Sequence, residues 1–439
     1  MKNVLFAAFL FCALPVVCLE QFNSSSTGAD GALDLSTCPG ILCQVQIPES
    51  GVLNYTTVNI PEGKILGFLR NSRNTPVIML AQGNVIISSI ISVDANGQLP
   101  GPGGYYGGSP NLNGGVGPNL PGFGPGAGPQ SNGNRNGRWV GPLNLAPIVG
   151  GSGGSGGSQC TNVGQSPFGG GGGGAIVIAS TTSINIIGNG RISASGGDVQ
   201  CPFGGAGGGS GGAIRLIANT LNVNSSNSYL LANGRGVPNS LPYNGTIRLE
   251  ALLGQLTFFG TAVPAPTLAP FNQNTPPILI TNFPQLTIQS VGGYAVPSYS
   301  GSRFDTVDLL LPNQIPDPVN VVVSANNIPV GTQVQVGFVS GSPSGTSTPC
   351  NLAGTLASSS CTATISSLNR TGVTYLLATA AFTPPAPLAA FNPKGADQIA
   401  KIRLESVLGK QPKYVFLRGD GSVIETKKVP KEFLQYFGM

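Results

Sequence analysis

Residues Gly169–Gly234 read GGGGGGAIVIASTTSINIIGNGRISASGGDVQCPFGGAGGGSGGAIRLIANTLNVNSSNSYLLANG, and this stretch decides the fold. One pattern occurs in it twice: a glycine run, an apolar strand, a second short strand, and a turn of small residues that ends in glycine. Ala175–Ala179 matches Ala213–Ile217 in this way. An earlier copy begins at Val77, and a partial later copy covers Gly245–Leu249.

Each copy is predicted to have one apolar face, because alternate side chains of a strand point to opposite sides. The residues predicted to point inward are Ile176, Ile178, Ile184, Ile186, Ile192 and Ala194. Those predicted to point outward are Val177, Asn185 and Ser193. A strand set this short cannot bury its apolar face alone, so the copies are expected to stack.

Copies that repeat the same residue types in register favour an all-β chain with a parallel β-helix (solenoid), and an antiparallel sandwich with coincidentally similar strands is the alternative. The spacing between copies is irregular, so we expect the surplus residues, including the glycine runs, to leave the stack as loops. In a further reading, the glycine runs pack against one another as polyglycine helices.

The chain begins with features of an export signal at residues 1–18. Lys2 is followed by an apolar run, Val4–Val17, which is too short to span a membrane. Cleavage is expected after Cys18. Lipid attachment at Cys18 is the less favoured alternative, because Val17 fits a lipoprotein signal poorly. The mature chain is therefore predicted to be extracellular or on the cell surface, with the periplasm as an alternative.

Composition narrows the class of partner. Charged residues make up 8% of the chain and the net charge is +5, with the basic residues scattered. Nucleic acid binding would need a clustered basic face, so it is not expected. Hydrophobic residues make up 40%, which is too many for a disordered chain even with 66 glycines and 37 prolines.

Six cysteines remain after cleavage, and an even number in an exported chain predicts disulfides. Of the fifteen possible connectivities, the most local one is preferred: Cys38–Cys43, Cys160–Cys201 and Cys350–Cys361. The last pair has the spacing of a hairpin staple. Zinc is not expected, since the chain has no histidine and no Cys-x-x-Cys pair.

After the export signal at residues 1–18, the sequence divides into five predicted parts. Residues 19–75 form an N-terminal cap and first strands, and residues 76–261 form the β-helix, with a glycine-rich insertion at 98–168. A proline-rich linker, 262–275, leads to short strands at 276–390 that suggest an immunoglobulin-like β-sandwich. Residues 391–439 form a basic C-terminal strand and tail, in which Ile402–Glu405 repeats the IRLE of Ile247–Glu250.

These motifs resemble a group of glycine-rich exported bacterial proteins of uncharacterised activity. The resemblance rests on the GGAIxLxA blocks, the closing Ala-Asn-Gly, the segment Gly51–Ile87, and the IRLE tail. It implies a right-handed parallel β-helix followed by a small β-sandwich, and it implies no activity.

The residue inventory argues against an enzyme without excluding one. The absence of histidine removes Ser-His and Cys-His nucleophile systems. Glycoside hydrolysis generally uses two carboxylates, and Asp198 is the one acid between Ala95 and Thr246. Asp305, Asp308 and Asp317 form an acidic loop that is read as solvated, with calcium binding as the alternative. No metal and no cofactor are expected.

Two functions from different classes remain. The first is a non-catalytic secreted or cell-surface structural or adhesive protein, with the sandwich as an interaction module. The second is a carbohydrate-active protein that binds or cleaves polysaccharide along the side of the β-helix, in which the partner would be a polysaccharide or another matrix component. The aromatic residues of the insertion could stack on sugar rings, or they could cover the side of the β-helix. The arginines, expected on one outer face, could bind a ligand; the alternative is that they are solvated or hydrogen-bond to loop carbonyls. The candidate binding residues are Tyr105, Tyr106, Trp139, Arg191, Arg215 and Arg248.

Overall fold

The structure, a computed structural model, describes residues 21–71, 74–109, 121–129, 135–146, 148–157, 168–199, 205–236, 241–272, 277, 279, 284–296, 309–312, 314–339, 344–368, 374–383, 399–407 and 413–425. The predicted export signal, the Cys160–Cys201 pair, Asp305 and Asp308 lie outside these residues. In the part described, no helix has the length and hydropathy needed to cross a membrane.

The described chain is all-β apart from one short 3-10 helix, Leu35–Thr37. Two sheets in its N-terminal part contain only parallel pairs. Strands are numbered in chain order. The ten-stranded sheet contains β1 (Leu33–Asp34), β3 (Val52–Tyr55), β4 (Val58–Ile60), β6 (Val77–Ala81), β7 (Val85–Ile87), β9 (Ala175–Ile186), β11 (Ala213–Val223), β13 (Thr246–Ala251), β14 (Leu256–Phe258) and β16 (Thr267–Leu268). The six-stranded sheet contains β2 (Leu42–Gln46), β5 (Ile65–Leu69), β8 (Ile90–Ser92), β10 (Arg191–Ser193), β12 (Tyr229–Leu231) and β15 (Thr261–Val263).

The predicted register between copies is confirmed. Leu216 lies opposite Ile178 on one side and Leu249 on the other, and Ile178 in turn lies opposite Met79. All six residues predicted to point inward belong to one apolar cluster between the two sheets. Val177 packs in a different cluster, on the outer side of the sheet. Alternation of side chains along the strands therefore sets which residues form the core.

The strands present three outer surfaces. The covered face is formed by β3, β6, β13, β16 and the first halves of β9 and β11. The amide face is formed by β1, β4, β7, β14 and the second halves of β9 and β11. The open face is the outer side of the six-stranded sheet. The pairing of β9 with β11 shifts register between Ala218 and Thr220, where one face gives way to the next.

The glycine runs do not leave the stack as loops. Eight segments without regular strand pairing, here called the glycine bundle, hydrogen-bond to one another: 97–108, 121–129, 135–141, 150–157, 168–174, 194–197, 205–212 and 232–236. Most of their glycines are buried. The expectation of outward loops is wrong for these segments, and the reading in which glycine runs pack together is the one that fits.

The hydrogen bonds of the glycine bundle repeat every three residues. The six amides of Gly169–Gly174 donate in turn to three neighbouring stretches of chain and then repeat the order: to the carbonyls of Gly108, Gly207, Gly97, Tyr105, Ser210 and Val93. Three residues per turn is the repeat of a polyproline II helix, whose backbone groups point outward and need external partners. Packing several such segments together satisfies those groups.

Only glycine allows this spacing at many positions. A Cβ atom added at Gly172 would overlap the carbonyl oxygen of Gly151, and one added at Gly209 would overlap that of Gly171. The backbones are therefore in direct contact, with no room for side chains between them. The glycine composition that favours loops in isolation here permits a close-packed layer.

The N-terminal segment runs along the edge of the stack and ties its strands together. Asn219 on β11 accepts a hydrogen bond from the Phe22 amide at 3.0 Å and donates one to the Phe22 carbonyl at 2.9 Å. Ser24 donates to the carbonyl of Ala81 at 2.7 Å, on β6. Residues predicted as a cap thus make contacts with several strands and also contribute β1 to β5 to the two parallel sheets.

The C-terminal part forms two antiparallel sheets with a common apolar core. The five-stranded sheet contains β17 (Gln285–Val291), β18 (Tyr294–Ala295), β19 (Val319–Asn326), β23 (Ala353–Gly354) and β24 (Ser359–Ile365). The six-stranded one contains β20 (Gln333–Val339), β21 (Ser344–Thr346), β22 (Cys350–Asn351), β25 (Tyr375–Phe382), β26 (Lys401–Val407) and β27 (Lys413–Leu417).

Two of the predicted disulfides are confirmed, Cys38–Cys43 and Cys350–Cys361. The second is not a hairpin staple, however. Cys350 lies on β22 of the six-stranded antiparallel sheet, whereas Cys361 lies on β24 of the five-stranded one. The chain crosses from one sheet to the other between these cysteines, so the bond joins the two sheets across their core.

Candidate functional site

Arg215 and Arg248 are neighbours on the covered face. They occupy equivalent positions of β11 and β13, and the Nε atom of each donates to the same Glu250 carboxylate oxygen at 2.8 Å. Like charges at such positions repel unless a carboxylate lies between them. Glu250 follows Arg248 by two residues and so shares its face. The side chains of Arg215 and Glu250 are 3% and 4% exposed, which leaves neither free to contact a ligand.

The covered face is sealed by residues of the glycine-rich insertion and of both ends of the stack. Its outer apolar side chains, including Ile78, Val177 and Ile217, pack with Leu145 and with the residues Ile148, Phe22 and Phe271. Arg215 also donates to the Leu145 carbonyl at 3.4 Å. The insertion therefore packs as an outer layer on this side of the sheet.

Trp139 belongs to this covering layer. Its ring packs against the outer apolar cluster, and its indole Nε1 donates to the Val149 carbonyl at 2.9 Å. Of the two roles considered for the aromatic residues of the insertion, its contacts are those of covering.

Tyr105 and Tyr106 lie in the glycine bundle. The Tyr105 hydroxyl is buried and has no hydrogen-bond partner among the described residues, and burial raises its pKa. Arg70 donates from Nη1 to the Tyr106 hydroxyl at 3.1 Å, and its guanidinium carbon lies 5.3 Å from the ring centroid. The Tyr105 hydroxyl is therefore not accessible to a ligand, and Tyr106 is already in contact with Arg70.

Arg191 lies on the open face, apart from the other two arginines, so the expected stack of three arginines on one side does not form. The outward positions of the open face stand in register across all six strands: Leu42, Ile65, Ile90, Arg191, Tyr229 and Thr261. Two residues further on, Ser193, Leu231 and Val263 are likewise in register. Leu42, Tyr229 and Thr261 are exposed on this ladder, whereas Arg191 is half-buried and Ser193 is buried.

The middle of the open face carries a small polar network. Asp94, two residues beyond the end of β8, accepts hydrogen bonds from the Ser193 hydroxyl and the Ser195 amide, each at 2.5 Å, and from the Ser92 hydroxyl at 3.0 Å. Arg191 donates to Ser193 at 3.4 Å. One acid and one base are thus linked through a serine, which leaves this part of the face formally neutral.

Apolar side chains surround that network and remain exposed. Leu42 is 56% exposed, Leu69 44%, Tyr229 40% and Val263 36%. The composition of the face is therefore mixed, with apolar and aromatic surface near both ends and polar groups in the middle. Tyr229 was not predicted as a binding residue, although its alignment with Arg191 in the repeat indicates an outward position.

Polar side chains of the amide face hydrogen-bond to one another. Asn222 donates to Asn185 at 3.0 Å, and Asn59 donates to Asp34 at 3.0 Å. The pKa of Asp34 is lowered, mainly by the hydrogen bond from the Ser36 backbone amide. These polar side chains bond along the ladder, from one strand to the next.

Metal ligands do not converge in the described residues, where no group of three or more His, Cys, Asp or Glu side chains is found. Of the acidic loop considered for calcium, only Asp317 is described.

Comparison with known proteins gives no relative: no family model, no curated protein and no solved structure matches the chain. The resemblance to glycine-rich exported bacterial proteins therefore stays a prediction.

Proposed function

We propose that this chain is an exported, non-catalytic protein of the cell surface or extracellular matrix. Its N-terminal part is a right-handed parallel β-helix that acts as a stiff, adhesive rod, and its C-terminal part is an immunoglobulin-like sandwich that serves as an interaction module. The observation that carries this proposal is the register of the parallel strands, which places equivalent aliphatic residues of successive copies in one continuous core.

The order of the strands supports the rod. After β9 crosses the covered and amide faces, β10 joins the open face, and β11 and β12 repeat the sequence one strand further along. Then β13, β14 and β15 add one strand to each face again. Stacked units that contact their neighbours along one axis are typical of solenoids. A stack of this kind resists bending and suits display on a surface.

The use of the acidic side chains supports a non-catalytic role. Glu250 is buried between two arginines, and Asp94 accepts three hydrogen bonds from its own fold. Asp198 forms an exposed pair with Arg235 at 3.5 Å. Cleavage of a polysaccharide would require a carboxylate or a base presented to substrate. The carboxylates named here are engaged in holding strands and segments in place.

The disulfides support export, because such bonds persist mainly in oxidising compartments. Cys38–Cys43 lies at the start of the stack and Cys350–Cys361 joins the antiparallel sheets. Fractionation of bacteria that express the tagged full chain tests this part of the proposal. We expect the chain outside the cytoplasm, and a variant without residues 1–18 inside it. Retention of the full chain in the cytoplasm would contradict export.

The non-catalytic role is tested on the purified chain. Beads coated with it should adhere to bacterial cells, while incubation with a panel of polysaccharides, with and without calcium, should release neither reducing ends nor unsaturated products. Product release that disappears in Asp94→Asn would overturn the proposal and would favour the carbohydrate-active alternative.

A further inference from the structure

The open face differs from the other outer surfaces of the stack. The covered face is sealed by Leu145, Ile148 and Trp139, and the amide face carries asparagines that bond to one another. On the open face, by contrast, Leu42 and Tyr229 keep 56% and 40% of their surface exposed. Exposed apolar residues elsewhere on the stack, such as Leu143 and Leu253, lie in turns, whereas those of the open face lie on paired strands of one sheet and so form one surface that a ligand could contact.

The shape of the open face limits what can occupy it. Six strands span it. With about 4.8 Å between strands and two outward positions per strand, the strip is roughly 24 Å long and 10 Å wide, or about 240 Å². A stable protein–protein interface buries about 800 Å² on each partner. The strip is therefore too small for a second folded protein and has the proportions of a single extended polymer.

The chemistry of the open face favours a sugar polymer over a peptide. Extended peptides generally bind to a free strand edge through backbone hydrogen bonds. The inner strands of this sheet, β5 to β12, already pair on both sides, so the face offers side chains only. Those side chains are the aromatic Tyr229, aliphatic residues such as Leu42, and the polar Gln44, Arg191 and Thr261. Sugar rings combine an apolar C–H surface with hydroxyl groups that both donate and accept, which matches this mixture.

The charge of the face indicates a neutral polymer. Arg191 is linked through Ser193 to Asp94, so the charges in its middle cancel. We infer that the open face binds a linear, neutral polysaccharide that lies along the stack from Leu42 to Thr261. This inference rests on the proposed adhesive function and names its partner.

Affinity electrophoresis of the full chain tests the inference. Native gels contain one neutral polymer each, such as hydroxyethylcellulose, xylan, galactomannan or mixed-linkage glucan, or the acidic polymer polygalacturonate. We expect retardation in at least one neutral gel, with little change when salt is raised. Retardation by polygalacturonate alone, lost at high salt, would overturn the inference, as would migration unaffected by every polymer.

Substitutions locate the site. Tyr229→Ala and Leu42→Gln change exposed side chains at different ends of the strip, and each is expected to weaken binding about tenfold, as loss of an aromatic or apolar anchor does. Tyr294→Ala is the matched control, because Tyr294 is 44% exposed but lies in the antiparallel part. Unfolding curves of all variants establish that they fold.

The results separate this inference from the proposed function. Equal binding by Tyr229→Ala, Leu42→Gln and wild type, or equal loss in Tyr294→Ala, would contradict a site on the open face. If cell adhesion persisted in that case without product release, the adhesive function would stand and only the inferred polysaccharide site would fall.

Discussion

Glu250 is the residue on which the covered face depends. It neutralises Arg215, whose side chain is almost fully buried and whose guanidinium also holds the carbonyl of Leu145. Removing one member of a buried charge pair leaves the other uncompensated, which costs more than the pair contributes when intact. Glu250 therefore neutralises the buried arginine that also bonds the glycine-rich insertion at Leu145.

We predict that Glu250→Gln lowers the free energy of unfolding of the stack by about 3–5 kcal/mol. Urea unfolding followed by the fluorescence of Trp139, the single tryptophan, measures this directly, because that ring packs on the covered face.

Glu405→Gln provides the matched control for this prediction. Glu405 follows Arg403 in the second IRLE copy at 3.0 Å, but their side chains are 20% and 39% exposed. A partly exposed pair of this kind contributes at most about 1 kcal/mol. Because Glu405 lies on β26, its effect on unfolding is measured by circular dichroism of the antiparallel part rather than by Trp139 fluorescence. Equal destabilisation by the two substitutions would show that the buried Glu250 pairs stabilise the fold no more than the Arg403–Glu405 pair does.

At the scale of elements, the strands and the glycine segments follow different rules. Strands such as β9 and β11 align by their aliphatic side chains, so a repeat of Ile and Leu predicts both their stacking and their register. The uninterrupted glycine runs, such as Gly169–Gly174, carry no side chains that could indicate a register. Gly170 bonds to Gly207 and Gly171 bonds to Gly97. Neither partner is distinguishable in sequence from the glycines around it.

The packing of the glycine bundle predicts that Gly172→Ala destabilises the stack. Its Cβ would collide with the Gly151 carbonyl, and backbone on both sides leaves no flexible group to move. Overpacking of this kind costs roughly 1–3 kcal/mol, visible as a lower midpoint in urea unfolding followed by Trp139.

Gly40→Ala is the control for the glycine substitution. Its Cβ would meet its nearest neighbour, the Leu42 carbonyl oxygen, at 3.5 Å, which is ordinary contact. We expect a change within about 0.5 kcal/mol there. An unchanged midpoint in Gly172→Ala would mean that the glycine segments are not in direct contact.

For the whole molecule, much of the architecture could be predicted from sequence. The inward and outward residues of Ala175–Ala194, the register of Leu216 and the strands near Leu286 and Val319 follow from alternation and repetition. The covering of Arg215 could not be predicted, because it depends on a distant segment around Leu145. Of the open face, only Arg191 was predicted as a binding residue, because the mixture of apolar and polar side chains there comes from six strands that are separate in sequence.

The strands and the glycine bundle form one hydrogen-bonded body in this account. Amide protons in such a body exchange with solvent only when the structure opens, whereas those of exposed loops exchange freely. The amides of Gly169–Gly174 lead directly into β9, and those of Gly207–Gly212 lead into β11. Their exchange rates should therefore match those of the strands they precede.

Hydrogen exchange by NMR on chain labelled with ¹⁵N-glycine tests this most directly. We predict that the glycine amides within residues 169–174 and 207–212 are protected as strongly as core strand amides, with exposed turn glycines such as Gly188 as the internal reference. Exchange of both glycine segments at the rate of Gly188 would contradict it.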